Sequence, residues 1–580
     1  MSNLLTWFQR SGAPFLAGVV SLVLMLATYR IGWWPIDDTI FAYLGERVLN
    51  GAVLGVDVYD FHGGYHSYLN ALLFKIFGVD MVVLRYPFIV IAPLQTMLVA
   101  HLLRHQGFWV AFWGGLSMTS LTFILFPNPS PNWFVLFFAI VSVYIVTEWD
   151  WRPSTLLTLG FVWGLSFMFR HPSATFLLLG IVAYAVYRQR SISLNSEVGS
   201  YTLHHSVILI SLGVVLAYTS VVYEWLGFFL FGLPPIALSF LLFRLRYDNF
   251  KQLLVDGLWA MVGAAAAIAP MVVFQLFHGD VLIWLETAFL TGMKMANMEF
   301  FHSLTYVDWF LENLAESPSF PLSFLYVWYF LSPSLVPLLL LGYIMFAVRR
   351  NVSTTVPPAV IISTYYGLVS FYFQIEFYFF VGFPLLLVAV LLAFKTKELP
   401  ARLIIVFCLI NLQLIAVFQL APSVANIRFA DEYQTSSLPR TSLEVPVIFH
   451  ERYEPALKLI EKYTEPNDVI YPFPFNPEFY YLSGRQNAFP SMGSTFDIES
   501  EEEYQMLLEE LQQVKPAMMI MATDNFYFSE YDWRLLAEIQ SDPNYQLVGN
   551  ENYIFYFARM PLNETPQSDR EDSSESEPSR

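Results

Sequence analysis

The chain has 580 residues and is short of both cysteine and charge. Its one cysteine, Cys408, excludes an intrachain disulfide, so any extracytoplasmic part must fold without one. Cys408 sits in an apolar run and is expected to pack in the core. Only 13% of the residues are charged, against about 25% in ordinary soluble domains, which excludes an ordinary soluble protein of this size. Also missing are a phosphate-cradling Gly-rich loop, a Ser/His/Asp signature and any convincing metal-ligand spacing. What is present is oil: 56% of the residues are hydrophobic and 18% aromatic, the composition of a polytopic membrane protein.

The scarce charge is unevenly spread. Residues 1–420 hold 19 Lys/Arg against 20 Asp/Glu, whereas residues 421–580 hold 11 against 28 and so carry nearly all of the net charge of −18. An acidic C-terminal part does not suit nucleic acid or an anionic lipid surface; solubility explains it.

A helix needs roughly 20 apolar residues to cross a bilayer, and such runs recur throughout the first 420 residues. Spans are expected near 12–31, 82–103, 108–126, 133–148, 154–169, 172–187, 205–223, 226–243, 253–276, 320–347, 357–374, 377–394 and 402–420, about 13 in all. With the N-terminus cytoplasmic, 13 of the 19 basic residues fall inside and 6 outside, as the positive-inside rule asks. The odd span count then sends the C-terminal part to the extracytoplasmic side. The first apolar run is expected to remain as an anchor.

Three outward segments are long enough to build a site: 32–81, 277–319 and everything after 420. In the first, "TIFAYLGERVLNG" reads as a short helix with Ile40, Phe41, Leu44 and Val48 on its apolar face, Tyr43, Glu46 and Asn50 on the other, and Asn50-Gly51 as its stop. Past residue 421 the elements alternate: helix in "YEPALKLIEKY", strand in "DVIYPF", helix in "EEEYQMLLEELQQV", strand in "AMMIMA", helix in "YDWRLLAEIQ" and a terminal hairpin. This predicts a small extracytoplasmic α/β domain over 421–562, followed by an acidic, Ser-rich tail over 563–580 that reads as disordered. The fold class is therefore an all-α polytopic membrane domain over 1–420 with that α/β domain appended.

Ionisable groups gather near the expected outer interface, and such groups at a bundle boundary are costly enough to be candidates for function. Asp37 and Asp38 stand first. One aspartate before "TIFAYLGERV" would serve as an N-cap worth about 1 kcal/mol, which leaves the other over. Adjacent carboxylates also raise one another's proton affinity, as suits a base working near neutral pH. His62 is either a phosphate contact or a turn residue before Gly63-Gly64; Arg170 and His171 separate two spans, where a snorkelling arginine is the plain explanation. Glu376 lies among aromatic residues, where an unpaired carboxylate is unfavourable.

The order "PIDDTIFAYLGERVLNG", then "VYDFHGGYHSYLNALLFKIFG", then "VLRYP" resembles the first outer loop of GT-C glycosyltransferases related to protein O-mannosyltransferases and the lipid A aminoarabinose transferase (the family 39/83-like group). "GFVWGLSFMFRHPSATFLLLG" and "EFYFFVGFPLLLVAVLLAF" are similar to later spans of that group. The resemblance implies a GT-C-like fold and an inverting transferase that moves a sugar from a polyprenyl-phosphate donor to a glycan, lipid or protein acceptor at the extracytoplasmic face of a bacterial inner membrane. By matching position it implies Asp37, with Asp38 beside it, as the catalytic carboxylates. Glu46, Tyr59, Asp60, His62, Arg170, His171, Lys294 and Glu376 are the candidate substrate-binding residues. Where relatives carry a basic residue and proline, this chain has His62, Gly63 and Gly64, so His62, Arg170 or Lys294 would supply the charge for the phosphate. Relatives differ over metal use, and no metal or other cofactor is carried across. From other classes, a lipid-linked-glycan transporter or flippase, or a non-catalytic envelope scaffold, would share this topology. A transporter is expected to place ionisable residues near the bilayer midplane, whereas these collect at one interface.

Overall fold

A computed structural model describes the chain except residues 1, 191–201, 222–223, 248–249, 291–304, 317–321, 350–355, 372, 395–397, 421–431, 496–497, 499, 526 and 561–580. It divides into two compact units, Met1–Glu451 and Arg452–Arg580.

The first unit is overwhelmingly helical, because its long apolar runs must satisfy every backbone N–H and C=O within themselves where no water reaches. All thirteen expected spans fall on helical segments. Among the described residues seven helices are long and apolar enough to cross a membrane: Met81–Leu102, Pro131–Glu148, Leu203–Val221, Trp225–Phe243, Phe250–His278, Val327–Ala347 and Glu376–Ala393. The chain is a multi-pass membrane protein. Shorter apolar helices, such as Phe108–Ile124 and Pro153–Phe169, account for much of the difference from thirteen.

In chain order the elements that frame the candidate site are α1 (Ser2–Thr28), α2 (Pro35–Leu49), α3 (Tyr65–Phe77), α4 (Tyr86–Leu102), α5 (Phe108–Thr119), α6 (Pro131–Glu148), α7 (Pro153–Phe169) and α8 (His171–Arg188). The core lies around α6 and the Glu376–Ala393 helix, where Trp133, Tyr365, Phe380 and Phe383 are wholly buried. The tightest helix pair is α7 against Phe250–His278. A Cβ on Gly160 would lie 1.9 Å from the Ala260 carbonyl oxygen, and one on Gly263 would lie 2.0 Å from that of Leu157. Only glycine lets the two backbones approach so closely, the usual device where both helices are bathed in lipid.

Cys408 is exposed on the Leu399–Leu420 helix rather than packed in the core. Leu403, Ile404 and Phe407 are exposed as well; Ile404 with Cys408, and Leu403 with Phe407, are each four apart and so fall on one side of the helix.

The chain that follows the last apolar helix returns to the first outer segment. Strands β1 (Tyr433–Thr435) and β2 (Glu444–Pro446) form an antiparallel ribbon. Glu444 N–H donates to the Arg30 carbonyl and Gly32 N–H to the Glu444 carbonyl, both at 2.8 Å. The Ser442 hydroxyl donates to Asp80 at 2.6 Å, and Arg440 pairs with Glu46 at 2.6 Å.

The second unit carries a four-stranded sheet in the order β3 (Ile470–Phe473), β4 (Met518–Ala522), β6 (Ile554–Arg559), β5 (Tyr545–Glu551), with β3 parallel to β4 and the other pairs antiparallel. A parallel pair requires a crossover, which the Glu501–Val514 helix lies within. Ser500 caps that helix, and Ser529 with Asp532 forms a capping box on Glu530–Ser541, so both boundaries are set by local sequence. Phe473, Leu507, Met521, Leu535 and Phe557 share the core. The strands and helices expected from alternation and 3.6-residue periodicity are found here. The expected tail over 563–580 lies outside the described residues.

Candidate functional site

Helix α2 begins earlier than the aspartate pair suggests. Pro35 occupies its first turn with Trp34 at the N-cap, so neither Asp37 nor Asp38 is the capping residue. Proline favours that first position because its missing N–H would be unpaired there and its φ is already helical. Both carboxylates instead sit one turn in, where the helix dipole favours negative charge. At the other end Asn50 and Gly51, the latter at φ 98°, stop the helix as expected. Ile40, Phe41 and Leu44 are buried, and so is Tyr43, which the helical pattern placed on the opposite face.

Successive helical residues point about 100° apart, and the two aspartates consequently meet different surroundings. Asp38 is fully buried and pairs with Arg85 at 3.0 Å. Arg85, itself buried, also donates to the carbonyls of Tyr29 (3.2 Å), Ile31 (3.0 Å) and Gly32 (2.6 Å), stitching the end of α1 to α2. Burial pushes the Asp38 carboxyl up, with the Arg85 guanidinium pulling it back. Asp37 is half-buried and makes no hydrogen bond among the described residues. Burial pushes its carboxyl up to about 6, against the opposing charge of Arg170.

Arg170 is placed by a break between α7 and α8. Pro172 has no N–H to offer the Met168 carbonyl and would crowd it, so α7 ends at Phe169; Arg170 is extended at φ −159°, and α8 starts at His171. Arg170 donates to the Tyr378 hydroxyl at 3.0 Å and lies over that ring, while its Nε is buried without a partner. The His171 ring lies tilted against that of Phe289, with ring centroids 4.6 Å apart.

The "DFHGG" segment packs onto the same break. A Cβ on Gly63 would lie 2.4 Å from the Met168 carbonyl oxygen and 2.7 Å from its Cα. Gly64 takes the left-handed conformation, φ 99°, that turns the chain into α3. Asp60 is buried and accepts from the His62 backbone N–H (2.9 Å), the His62 ring Nδ1 (3.1 Å) and the Ser67 hydroxyl (2.6 Å). Burial raises the Asp60 carboxyl, but these bonds and the charge of His62 outweigh it, so it lies below its ordinary value. The Asp60 bond fixes the His62 ring and leaves Nε2 without a hydrogen bond among the described residues. Burial and the neighbouring charge of His62 push His66 down to about 3, so it is neutral at physiological pH.

Asp37, Asp60, His62, Arg170 and His171 thus converge on the α7–α8 break, joined by Tyr378, which sequence reasoning missed. Ser67 was missed as well; a helical serine offers no signal until its partner is known. Other expected residues lie elsewhere. Glu46 is engaged by Arg440, Tyr59 is half-buried immediately before Asp60, and Glu376 accepts from the Tyr329 hydroxyl at 2.5 Å, two residues from Tyr378. Lys294 lies outside the described residues. Among the described residues no group of three or more His, Cys, Asp or Glu side chains could hold a metal ion.

The arrangement offers a half-buried carboxylate that titrates near 6, a guanidinium facing it and an imidazole whose free nitrogen is held in place. Such a set can take up a proton and neutralise an oxyanion.

No family model and no curated protein matches the chain. Among solved structures it is similar to ArnT from Cupriavidus metallidurans bound to undecaprenyl phosphate, with 12% identity and a TM-score of 0.36 over 96% of this chain and 100% of that one. It is also similar to the apo state of the same protein, with 11% identity and a TM-score of 0.37 over 95% of this chain and 99% of that one.

Proposed function

We propose that the chain is an integral membrane glycosyltransferase that moves a sugar from a polyprenyl-phosphate donor to an acceptor hydroxyl, with inversion at the anomeric carbon. The observation that carries this reading is Asp37: a carboxylate with no hydrogen bond among the described residues, raised to about 6 by burial, facing Arg170 at a helix break. The loop order shared with GT-C glycosyltransferases supplies the substrate class.

In this reading the acceptor oxygen attacks the anomeric carbon as the bond from that carbon to the phosphate oxygen breaks. Asp37 takes the acceptor proton. The departing polyprenyl phosphate gains negative charge, which Arg170 stabilises together with the Nε2–H of His62 in its imidazolium form, since the Asp60 carboxylate already accepts from Nδ1. Asp60 positions His62, and Asp38 with Arg85 holds the start of α2. A base pKa near 6 keeps Asp37 mostly ionised at neutral pH yet able to accept a proton in the transition state.

The test is transfer by purified full-length protein supplied with a panel of labelled polyprenyl-phosphate pentoses and hexoses and an envelope extract as acceptor. Wild type should form a new glycosidic bond, and Asp37→Asn should abolish transfer while leaving membrane insertion and melting intact. Full activity in that variant removes Asp37 from the mechanism. Translocation of the labelled lipid without a new bond overturns the transferase reading.

A further inference from the structure

Away from the candidate site, at the opposite end of α7 and α8, a cavity of about 260 Å³ lies between α7, α8 and the Phe250–His278 helix. Its walls are carbon, from side chains such as Leu156, Trp163, Ile181, Leu253 and Met261. Along the long helix it runs from Leu253 to Ala264, twelve residues and so about 16 Å of α-helix, close to half the roughly 30 Å hydrocarbon thickness of a bilayer. The dimension is that of one leaflet's hydrocarbon chain. The volume falls just under the roughly 300–1,000 Å³ of small-molecule sites, as suits a single chain without its head group.

The mouth of this groove is polar on one side only. Trp151 lines it, with the exposed guanidinium of Arg188 lying 4.9 Å from the ring centroid and the exposed Arg152 next in sequence. The buried Asp256 also lines this end, but its carboxylate is occupied: it accepts from Trp151 Nε1 (2.8 Å), Gln252 (2.7 Å) and Gln189 (3.5 Å). Asp256 therefore fixes Trp151, and the cations are the groups left to meet a ligand. Arginine at a membrane boundary recognises phosphate, both by charge and by its planar fork of donors.

We propose that this groove is a lipid-binding site that seats one acyl chain of an anionic glycerophospholipid, with the lipid phosphate against Arg188 and Arg152. Neither the proposed transferase chemistry nor its substrate enters the argument.

Gly257 lines the groove, and a Cβ there meets nothing within 4 Å, so a large side chain can fill the space without disturbing the backbone. Gly213, equally open but in the Leu203–Val221 helix, is the matched control. The experiment is native mass spectrometry of the full chain released from nanodiscs of equal parts phosphatidylglycerol and phosphatidylethanolamine. Wild type and Gly213→Phe should retain one phosphatidylglycerol in preference. Gly257→Phe should lose the retained lipid. Arg188→Gln should lower the preference about fivefold, as expected for one basic residue near a lipid phosphate. Equal retention of the two lipids by wild type, or retention by Gly257→Phe at the wild-type level, would overturn the proposal.

Discussion

The Gly63→Ala substitution adds one methyl group at the point where the "DFHGG" segment meets the end of α7. The new carbon would lie 2.4 Å from the Met168 carbonyl oxygen, 2.7 Å from its Cα and 2.8 Å from its carbonyl carbon, whereas ordinary contact begins at 3.4 Å. All three atoms are backbone and cannot rotate aside, so the two segments must part by about 1 Å. Overpacking of this kind typically costs about 1–3 kcal/mol. The greater effect should fall on transfer, because His62 rides on one segment and Arg170 on the other. A displacement of about 1 Å between groups that must act on one phosphate costs on the order of 100-fold in rate. Gly257→Ala is the control: its methyl group enters open space within a helix, where alanine is better than glycine by up to about 1 kcal/mol. Melting and turnover of purified protein in matched detergent measure both effects. If Gly63→Ala melts and turns over like wild type, the packing of "HGG" on the α7–α8 break does not position the site.

Three further outcomes follow from the charges. Because burial raises Asp37 to about 6 and the base must be ionised, transfer should rise with pH through about 6; a flat profile from pH 5 to 8 would show that Asp37 is not the base. The Asp38–Arg85 pair is desolvated on both sides, so Arg85→Met should lower the melting temperature more than the double variant Arg85→Met/Asp38→Leu, in which no charge is left buried; the reverse order would refute a pair that stabilises by position rather than net energy. In the second unit Glu478, buried beside the Tyr453 hydroxyl at 3.1 Å, is raised to about 7 by burial, so the native state holds a proton that the unfolded chain releases near 4.5. Stability should therefore fall as pH rises from about 4.5 to about 7, and Glu478→Gln should flatten that fall in melting curves across the same window.

Much of this was legible before any coordinates, for stated reasons. Apolar run length finds the helices because membrane spans allow little else, and short apolar runs find β3 and β4, which are buried along their whole length. The expected break at Arg170-His171 shows as a polar hinge between two apolar runs, and Pro172 explains where α7 stops. Other features could not be read. Arg85 looked like one more interfacial cation, and only the fold shows three carbonyls and a carboxylate around it. Tyr378 carries no motif; it matters because the Glu376–Ala393 helix brings it to Arg170 across more than two hundred residues. The start of α2 was misjudged because Asp before an apolar run is a good capping signal, while Pro35 two residues earlier is a stronger one.

The adjacent aspartates show how one dipeptide can divide two duties. A single carboxylate at this point would have to choose between anchoring α2 and remaining reactive, since a carboxylate buried against arginine is out of reach of an incoming hydroxyl. Two adjacent residues on a helix cannot face the same way, so Asp38 turns inward to Arg85 and Asp37 is left at the surface that Arg170 shares. The anchoring makes the reactivity usable. With α2 stitched to α1 through Arg85, the position of Asp37 is fixed by backbone, and its carboxylate has no hydrogen bond among the described residues to break before accepting a proton. The same logic runs through Asp60, which spends its own acceptors on His62 and Ser67 and so leaves the imidazole Nε2 free. In both places a buried carboxylate is committed to structure: Asp60 holds the His62 ring itself, and Asp38, through Arg85, fixes the start of the helix that presents Asp37.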